Sequence, residues 1–160
     1  MQPNAQGGLS ARDTQSIDAI IAALYVSICF EAGGEPDFER FRSLFVEGGR
    51  VVPAKPDDAT NPAVLLVDDF IRRSRAFVAD GELKSRGYVQ TEIARTVESF
   101  GRVAHVFSTF EARFADEDSP FERGINSIQL LKEGDRWLIV TMLWETERKD
   151  LQIPEVYLGS

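Results

Sequence analysis

Several things are scarce in this sequence, and each scarcity excludes a class of chemistry. Cys29 is the single cysteine and His105 the single histidine among 160 residues. One thiol rules out an internal disulfide and any zinc site that needs two thiolates. One imidazole rules out multi-histidine metal sites and paired-histidine proton shuttles. No stretch approaches the roughly 20 apolar residues of a membrane-spanning helix. Residues 1–9 lack the basic and apolar blocks of a secretory signal, so the expected compartment is the cytoplasm. Cations are outnumbered, with 18 Lys and Arg against 26 Asp and Glu, a net charge of −8. Nucleic acid is not expected as a partner, because its binding rests on basic side chains neutralising phosphates. An anionic membrane surface is disfavoured on the same ground. Glycine patterns for a P-loop, a dinucleotide fold or a G-x-S-x-G nucleophile elbow are missing. No cofactor and no metal are expected.

What remains is an ordinary globular composition, 43% apolar and 28% charged, in a chain long enough for one domain with a sizeable core. Residues 1–9, polar and glycine-rich, are expected to form a disordered tail ahead of a domain over 10–147. Ser10 and Asp13 have capping-box spacing. Ile17, Ile20, Ile21, Leu24 and Ile28 then recur with helical period until Gly33-Gly34. Pro36 opens a second helix with Phe38, Phe41, Leu44 and Phe45 on its face. Gly48-Gly49 closes it before a short strand at Val51-Val52. Thr60 or Asn61, followed by Pro62, suits the start of a third helix. Its stripe is Val64, Val67, Phe70, Ile71, Phe77 and Val78, with Asp68–Arg72 and Asp69–Arg73 pairs on the wet side.

After Gly81 the period of the apolar residues changes from helical to two. Tyr88 to Ser99, Arg102 to Phe114, Arg123 to Lys132 and Trp137 to Thr146 read as four long strands joined as a meander. Strands of ten or more residues exceed the usual five or six, and long sheets twist and coil. The predicted architecture is α+β: a curled antiparallel sheet of four to five strands wrapped around three helices as a cone with a mouth. The arm over 148–160 turns apolar again at Leu151, Ile153, Val156, Tyr157 and Leu158. It is expected to pack on the domain or on a partner, because a solvated tail would be polar.

Three local patterns carry a resemblance. Phe41-Arg42-Ser43-Leu44-Phe45 precedes the short strand, Gly101-Arg102-Val103-Ala104-His105-Val106 opens a central strand, and the last hairpin runs from Ile128 through Gly134-Asp135 to Val140. In that order they resemble the nuclear transport factor 2-like superfamily, which holds ketosteroid isomerases, SnoaL-like polyketide cyclases, scytalone dehydratase and non-catalytic transport factors. The resemblance implies the cone and a pocket within it; it does not fix an activity. In the isomerases a tyrosine and a protonated aspartic acid form an oxyanion hole and an aspartate is the base. The resemblance puts Tyr25 at the tyrosine, Asn126 near the acid and Pro53 at the base. Proline moves no proton, so that mechanism lacks its base.

The inward-facing positions of the predicted helix and strands nominate Tyr25, Cys29, Phe110, Asn126, Met142 and Trp144 as lining an apolar pocket. Tyr25 suits either a core tyrosine or a pocket donor, Asn126 either a pocket amide or a structural hydrogen bonder. Cys29 reads as a small buried hydrophobe, and Glu92 and Glu98 as solvated or arginine-paired carboxylates. His105, Phe107, Thr141 and Leu143 alternate with the pocket set, giving the sheet a second apolar face that suits a homodimer. Three functions remain open: a homodimeric domain binding a small apolar or aromatic molecule, a SnoaL-like lyase, cyclase or isomerase, and a protein-interaction scaffold with a filled cone.

Overall fold

The computed structural model describes residues 11–54 and 63–159. The tail, Ser10, and the loop segment holding Thr60, Asn61 and Pro62 lie outside the described residues, and with them the capping box and the proline start of the third helix. The first long helix, α1 (Ile17–Ile28), is capped by Ser16, whose side chain accepts from the Ala19 amide at 3.0 Å. Asp13 is engaged elsewhere. Its buried carboxylate receives Arg40 Nε and Nη2, both at 2.9 Å, a two-pronged pair that ties the chain before α1 to the next helix.

That helix, α2 (Phe38–Ser43), is shorter than its apolar face suggests. Strand β1 (Phe45–Val52) begins almost at once. Gly48, at φ +77°, and a register irregularity between Phe45 and Arg50 let the chain become extended before the glycine pair rather than after it. After β2 (Leu65–Leu66) comes α3 (Val67–Ala79), and then α4 (Glu82–Arg86), a short helix that the sequence reading omits. Val67, Ile71 and Val78 of α3 are buried, whereas Val64 and Phe77 are exposed. The i, i+4 pairs on α3 do not form. Asp68 takes Arg42 of α2 at 2.6 Å, and Asp69 pairs with Arg72 one position nearer.

The four long strands are β3 (Tyr88–Phe100), β4 (Val103–Phe114), β5 (Glu122–Glu133) and β6 (Arg136–Thr146). With them the sheet has six strands in the order β2-β1-β6-β5-β4-β3. It is mixed rather than purely antiparallel, because β1 runs parallel to β6. The sheet curls without closing, and α1 and α2 fill its hollow. Ile20, Ile21, Leu24, Phe41 and Leu44 meet Val106, Ile128, Leu130 and Ile139 in one core. No helix among the described residues is long and apolar enough to cross a membrane.

Beyond β6 the chain turns back through a bridge between Arg148 and Leu151 and ends in a 3-10 turn over Glu155–Tyr157. The turn lies on the outer face of the sheet. Thr109 Oγ1 donates to the Tyr157 carbonyl at 2.6 Å, and the Tyr157 ring stands edge-on to Phe107, centroids 5.0 Å apart. Ile153, Tyr157 and Leu158 are half-buried, while Leu151 and Val156 are exposed.

Candidate functional site

Directly opposed residues on neighbouring strands point to the same face, so the register gives the inner wall row by row. One row is Gln90–Ala112–Glu122, the next Glu92–Phe110–Gly124–Thr146. A bulge at Ile93 inserts one residue in β3, which brings Arg95 inward to give Arg95–Ser108–Asn126–Trp144. The row after it is Val97–Val106–Ile128–Met142. Gly124 is required by the Phe110 ring: a Cβ there would stand 2.6 Å from it and 2.5 Å from the Glu145 carbonyl oxygen.

Between this wall and the helices lies a cavity of about 760 Å³. The sheet contributes Phe110, Asn126, Met142 and Trp144; α2 contributes Phe38 and Phe41, and α3 Phe70 and Phe77. Trp144 stands edge-on to Phe70 at 5.8 Å, and Phe41 tilts against Phe70 at 5.5 Å, so the aromatic walls brace one another. Of the six residues nominated from sequence, these four sheet positions line the cavity. Tyr25 and Cys29 do not.

Tyr25 is held against the wall, outside the cavity, by its hydroxyl. Asn126 Nδ2 reaches it at 3.2 Å and Ser108 Oγ stands at 2.6 Å. Ser108 gives its proton to Glu92, so Tyr25 donates to Ser108 while accepting from Asn126. The carboxylate of Glu92 is held in turn by Arg95, whose Nη2 lies at 2.7 Å, and Arg95 reaches Asp18 on α1. A directed chain of hydrogen bonds thus runs from the cavity wall to the surface. Burial pushes the Tyr25 phenol up to about 12, against the lowering effect of its two hydrogen bonds, so this hydroxyl is a fixed donor and not a base. Cys29 caps the end of α1. Its thiol donates to the Tyr25 carbonyl at 3.1 Å and receives the Gln90 amide at 3.3 Å; burial raises its pKa and makes it a poor nucleophile.

On the outer face, His105 Nε2 lies 2.9 Å from Ser127 Oγ, and Thr141 donates to Gln129 at 3.1 Å. Phe107 is covered on one side by Tyr157, whereas Leu143 is exposed. Among the described residues no group of three or more His, Cys, Asp or Glu is placed to hold a metal ion.

No protein-family model and no curated protein matches the chain. Solved structures do. A cystatin-like fold protein of unknown function from Nostoc punctiforme superposes with a TM-score of 0.62 at 14% identity, covering 93% of this chain and 97% of that one. An uncharacterised cystatin-like fold protein from Caulobacter vibrioides gives 0.62 at 15% identity, over 84% and 89% of the two chains. A conjectured dehydratase of the nuclear transport factor 2-like family, from Streptomyces avermitilis, gives 0.61 at 16% identity over 85% and 96%. The fold is nuclear transport factor 2-like.

In this nuclear transport factor 2-like cone two carboxylates line the cavity, neither of them singled out by sequence; Glu82 is paired with Arg86 at 2.8 Å, and the other stands unpaired. Glu122, the first residue of β5, lines the cavity beside Tyr88 and Gln90. Burial raises its carboxyl above the usual 4.5. Among the described residues it has no ion pair: Arg123, its neighbour in sequence, points to the other side of the sheet and is held by Glu147 at 2.9 Å. The sequence signal was present but weak, since Glu122 and Asn126 share a face two turns of the pleat apart, yet Glu122 lay just outside the expected strand. Because the folded-state pKa is raised, this carboxyl's contribution to stability is intact below the ordinary value. It is lost as pH rises through the raised one. Glu122→Gln is therefore expected to melt higher than the parent at pH 7.5, with the gap closing at pH 4, as read by thermal denaturation of both proteins at each pH.

Proposed function

We propose that this chain is a homodimeric small-molecule-binding domain whose cone takes one mostly apolar, aromatic ligand. The observation that carries the proposal is the cavity itself. Its volume of about 760 Å³ falls within the roughly 300–1,000 Å³ of small-molecule sites, and such sites combine apolar walls with a few placed polar groups. Here the walls are mostly phenylalanine and tryptophan, and the polar side chains among them are Asn126, Gln90, Glu122, Glu82, Arg73 and Ser74. A scaffold would have no use for that space and would fill it. Native mass spectrometry of the protein as isolated from cells is expected to show a noncovalent adduct of a few hundred daltons on a dimer mass. Bare protein that also refuses every aromatic ligand offered would end the proposal.

The dimer part rests on the outer face of the sheet. Leu143, Phe100 and Val103 are exposed there, with His105, Phe107 and Thr141 half-buried between them, and scattered residues of that size seldom gather on one face of a monomer. The arm over Phe107 covers only part of it. Light scattering at micromolar concentration should give twice the chain mass of 17.9 kDa, falling towards the single-chain mass in Leu143→Arg. A monomer in the unaltered protein would refute this part alone.

A second reading, a lyase, cyclase or isomerase, is favoured by one observation: Glu122 is a carboxyl of raised pKa inside the cavity, as acid–base chemistry near neutrality requires. The conjectured dehydratase from Streptomyces avermitilis supports it to the same extent. Under this reading Glu122 moves the proton, because Tyr25 is screened behind Asn126. Deuterium exchange α to the carbonyl of a bound aromatic ketone, lost in Glu122→Gln, would support it; exchange at the buffer rate would not.

A further inference from the structure

At one end of the cavity the inner wall drops to Ala112. Gln90 on β3 and Glu122 on β5 are both paired with this alanine, one from each side. Their side chains therefore rise from the same face, separated by two strand spacings, about 10 Å between backbones, with only a methyl group between them. Gln90 Nε2 donates to the Tyr88 hydroxyl at 2.8 Å, while its Oε1 is buried and has no hydrogen-bond partner. An unmatched buried acceptor costs about 1–3 kcal/mol, so a site that keeps one is incomplete without a donor from outside. Glu122, half-buried, adds an acceptor with no ion pair among the described residues, and it carries a full charge whenever it is ionised.

The walls of this niche are aromatic. Phe30 stacks on Tyr88 at 6.2 Å, Tyr88 meets Phe121 at 6.3 Å, and Phe121 meets Phe114 at 4.7 Å. All four line the cavity. Ring faces attract cations within about 6 Å, and one of these rings already does so: the Arg86 guanidinium sits 3.8 Å from the Phe114 centroid. Arg86 itself is fully engaged by Glu82, Asp116 and Glu117. The rings, the amide oxygen of Gln90 and the carboxylate of Glu122 are thus an electron-rich surface and two acceptors with no cation between them among the described residues.

Resting on the reading of the cone as a ligand-binding cavity, we propose that the ligand is an amine: an apolar or aromatic body carrying a protonated amino group, seated between Gln90 and Glu122 over Ala112. An ammonium has only donors to give, which suits a niche that presents acceptors. Its positive charge offsets the Glu122 carboxylate, whose burial otherwise disfavours ionisation; Glu82, the other carboxylate lining the cavity, is already paired with Arg86 at 2.8 Å. A neutral hydroxyl would satisfy Gln90 and leave the charge uncompensated. A carboxylate head would face Glu122 and could turn only to Arg73, the exposed cation lining the opposite wall from α3.

Three probes with one body separate these heads: 2-(1-naphthyl)ethylamine, 2-(1-naphthyl)ethanol and 1-naphthaleneacetate, each titrated calorimetrically into the full chain at pH 7.5. The amine is expected to bind at least tenfold more tightly than the alcohol, and the carboxylate more weakly than either. In Glu122→Gln the ratio of amine to alcohol affinity should fall to within threefold of unity. Folding of that variant is checked by its melting curve. Amine and alcohol binding alike, a carboxylate preferred through Arg73, or an amine advantage that survives Glu122→Gln would each overturn the amine assignment while leaving the cavity a binding site. None of the three binding would overturn the ligand-binding reading as well.

Discussion

Gly87→Ala is expected to lower stability by about 4 kcal/mol, the sum of about 1–3 for a backbone region nearly confined to glycine and about 1–3 for overpacking. Gly87 joins α4 to β3 with φ +77° and ψ 166°, a combination that residues with a Cβ avoid. The added carbon would also stand 2.8 Å from the Ala32 amide nitrogen, the Phe30 carbonyl oxygen and the Ala115 Cβ. Two of those three are backbone, and neither can yield freely. The Phe30 carbonyl accepts the Tyr88 amide, and the Phe30 amide donates back to the Tyr88 carbonyl, both at 2.9 Å. Relieving the clash breaks the bridge that fixes Phe30 and Tyr88 at the cavity wall. For a chain of this length the loss corresponds to a fall in melting temperature of about 8–16 °C. Gly134→Ala is the control. Its φ is +61° with nothing within 4 Å of an added Cβ, so only the left-handed backbone costs anything, about 1–2 kcal/mol. Thermal melts of the two variants should differ accordingly; equal melts would show that the contacts at Gly87 are soft.

The second large effect is Phe110→Ala. Phe110 is 1% exposed, and truncating a buried phenylalanine costs about 3–5 kcal/mol through lost transfer energy and the void it leaves. One side of this ring already borders the cavity, so fewer contacts are lost than in a solid core. The expected cost is at the low end, about 3 kcal/mol. The void would merge with the existing space. A bulkier aromatic ligand that the parent protein excludes should then bind and return part of the lost stability, because a ligand that binds only the folded state raises its melting temperature. Differential scanning with and without such a ligand checks both halves. A loss of 3 kcal/mol with no rescue by any aromatic ligand would mean that the site had collapsed onto the void.

Local signals made much of this fold legible. Period-two runs placed all four long strands to within one or two residues, and Gly101 and Gly134 marked their hairpins. The alternation also sorts the sheet into its two faces, with Phe110, Asn126, Met142 and Trp144 on one of them. Pairing of β1 with β6 was illegible, since Val51 and Met142 are partners across most of the chain and nothing local records it. The bulge at Ile93 was illegible for a related reason: a one-residue slip inverts the facing of everything after it, and it is what turned Arg95 inward to hold Glu92. Helical spacing puts Tyr25 on the buried side of its helix but does not say whether its hydroxyl meets a cavity or, as here, the side chains of Ser108 and Asn126. Glu122 was overlooked because carboxylates at strand ends are ordinarily solvated, and only the rows of the folded sheet show it beside Ala112 and Gln90.

The central claim is that the cone is an open apolar binding cavity. It is tested most directly by saturation binding of a neutral aromatic fluorophore, N-phenyl-1-naphthylamine, to the parent and to Ser74→Phe, which projects a ring from α3 into the cavity. The expected result is one saturable site per chain with Trp144 quenched on binding, and loss of that site in Ser74→Phe at an undiminished melting temperature. Absence of saturable binding, or equal binding by parent and variant, would contradict the claim.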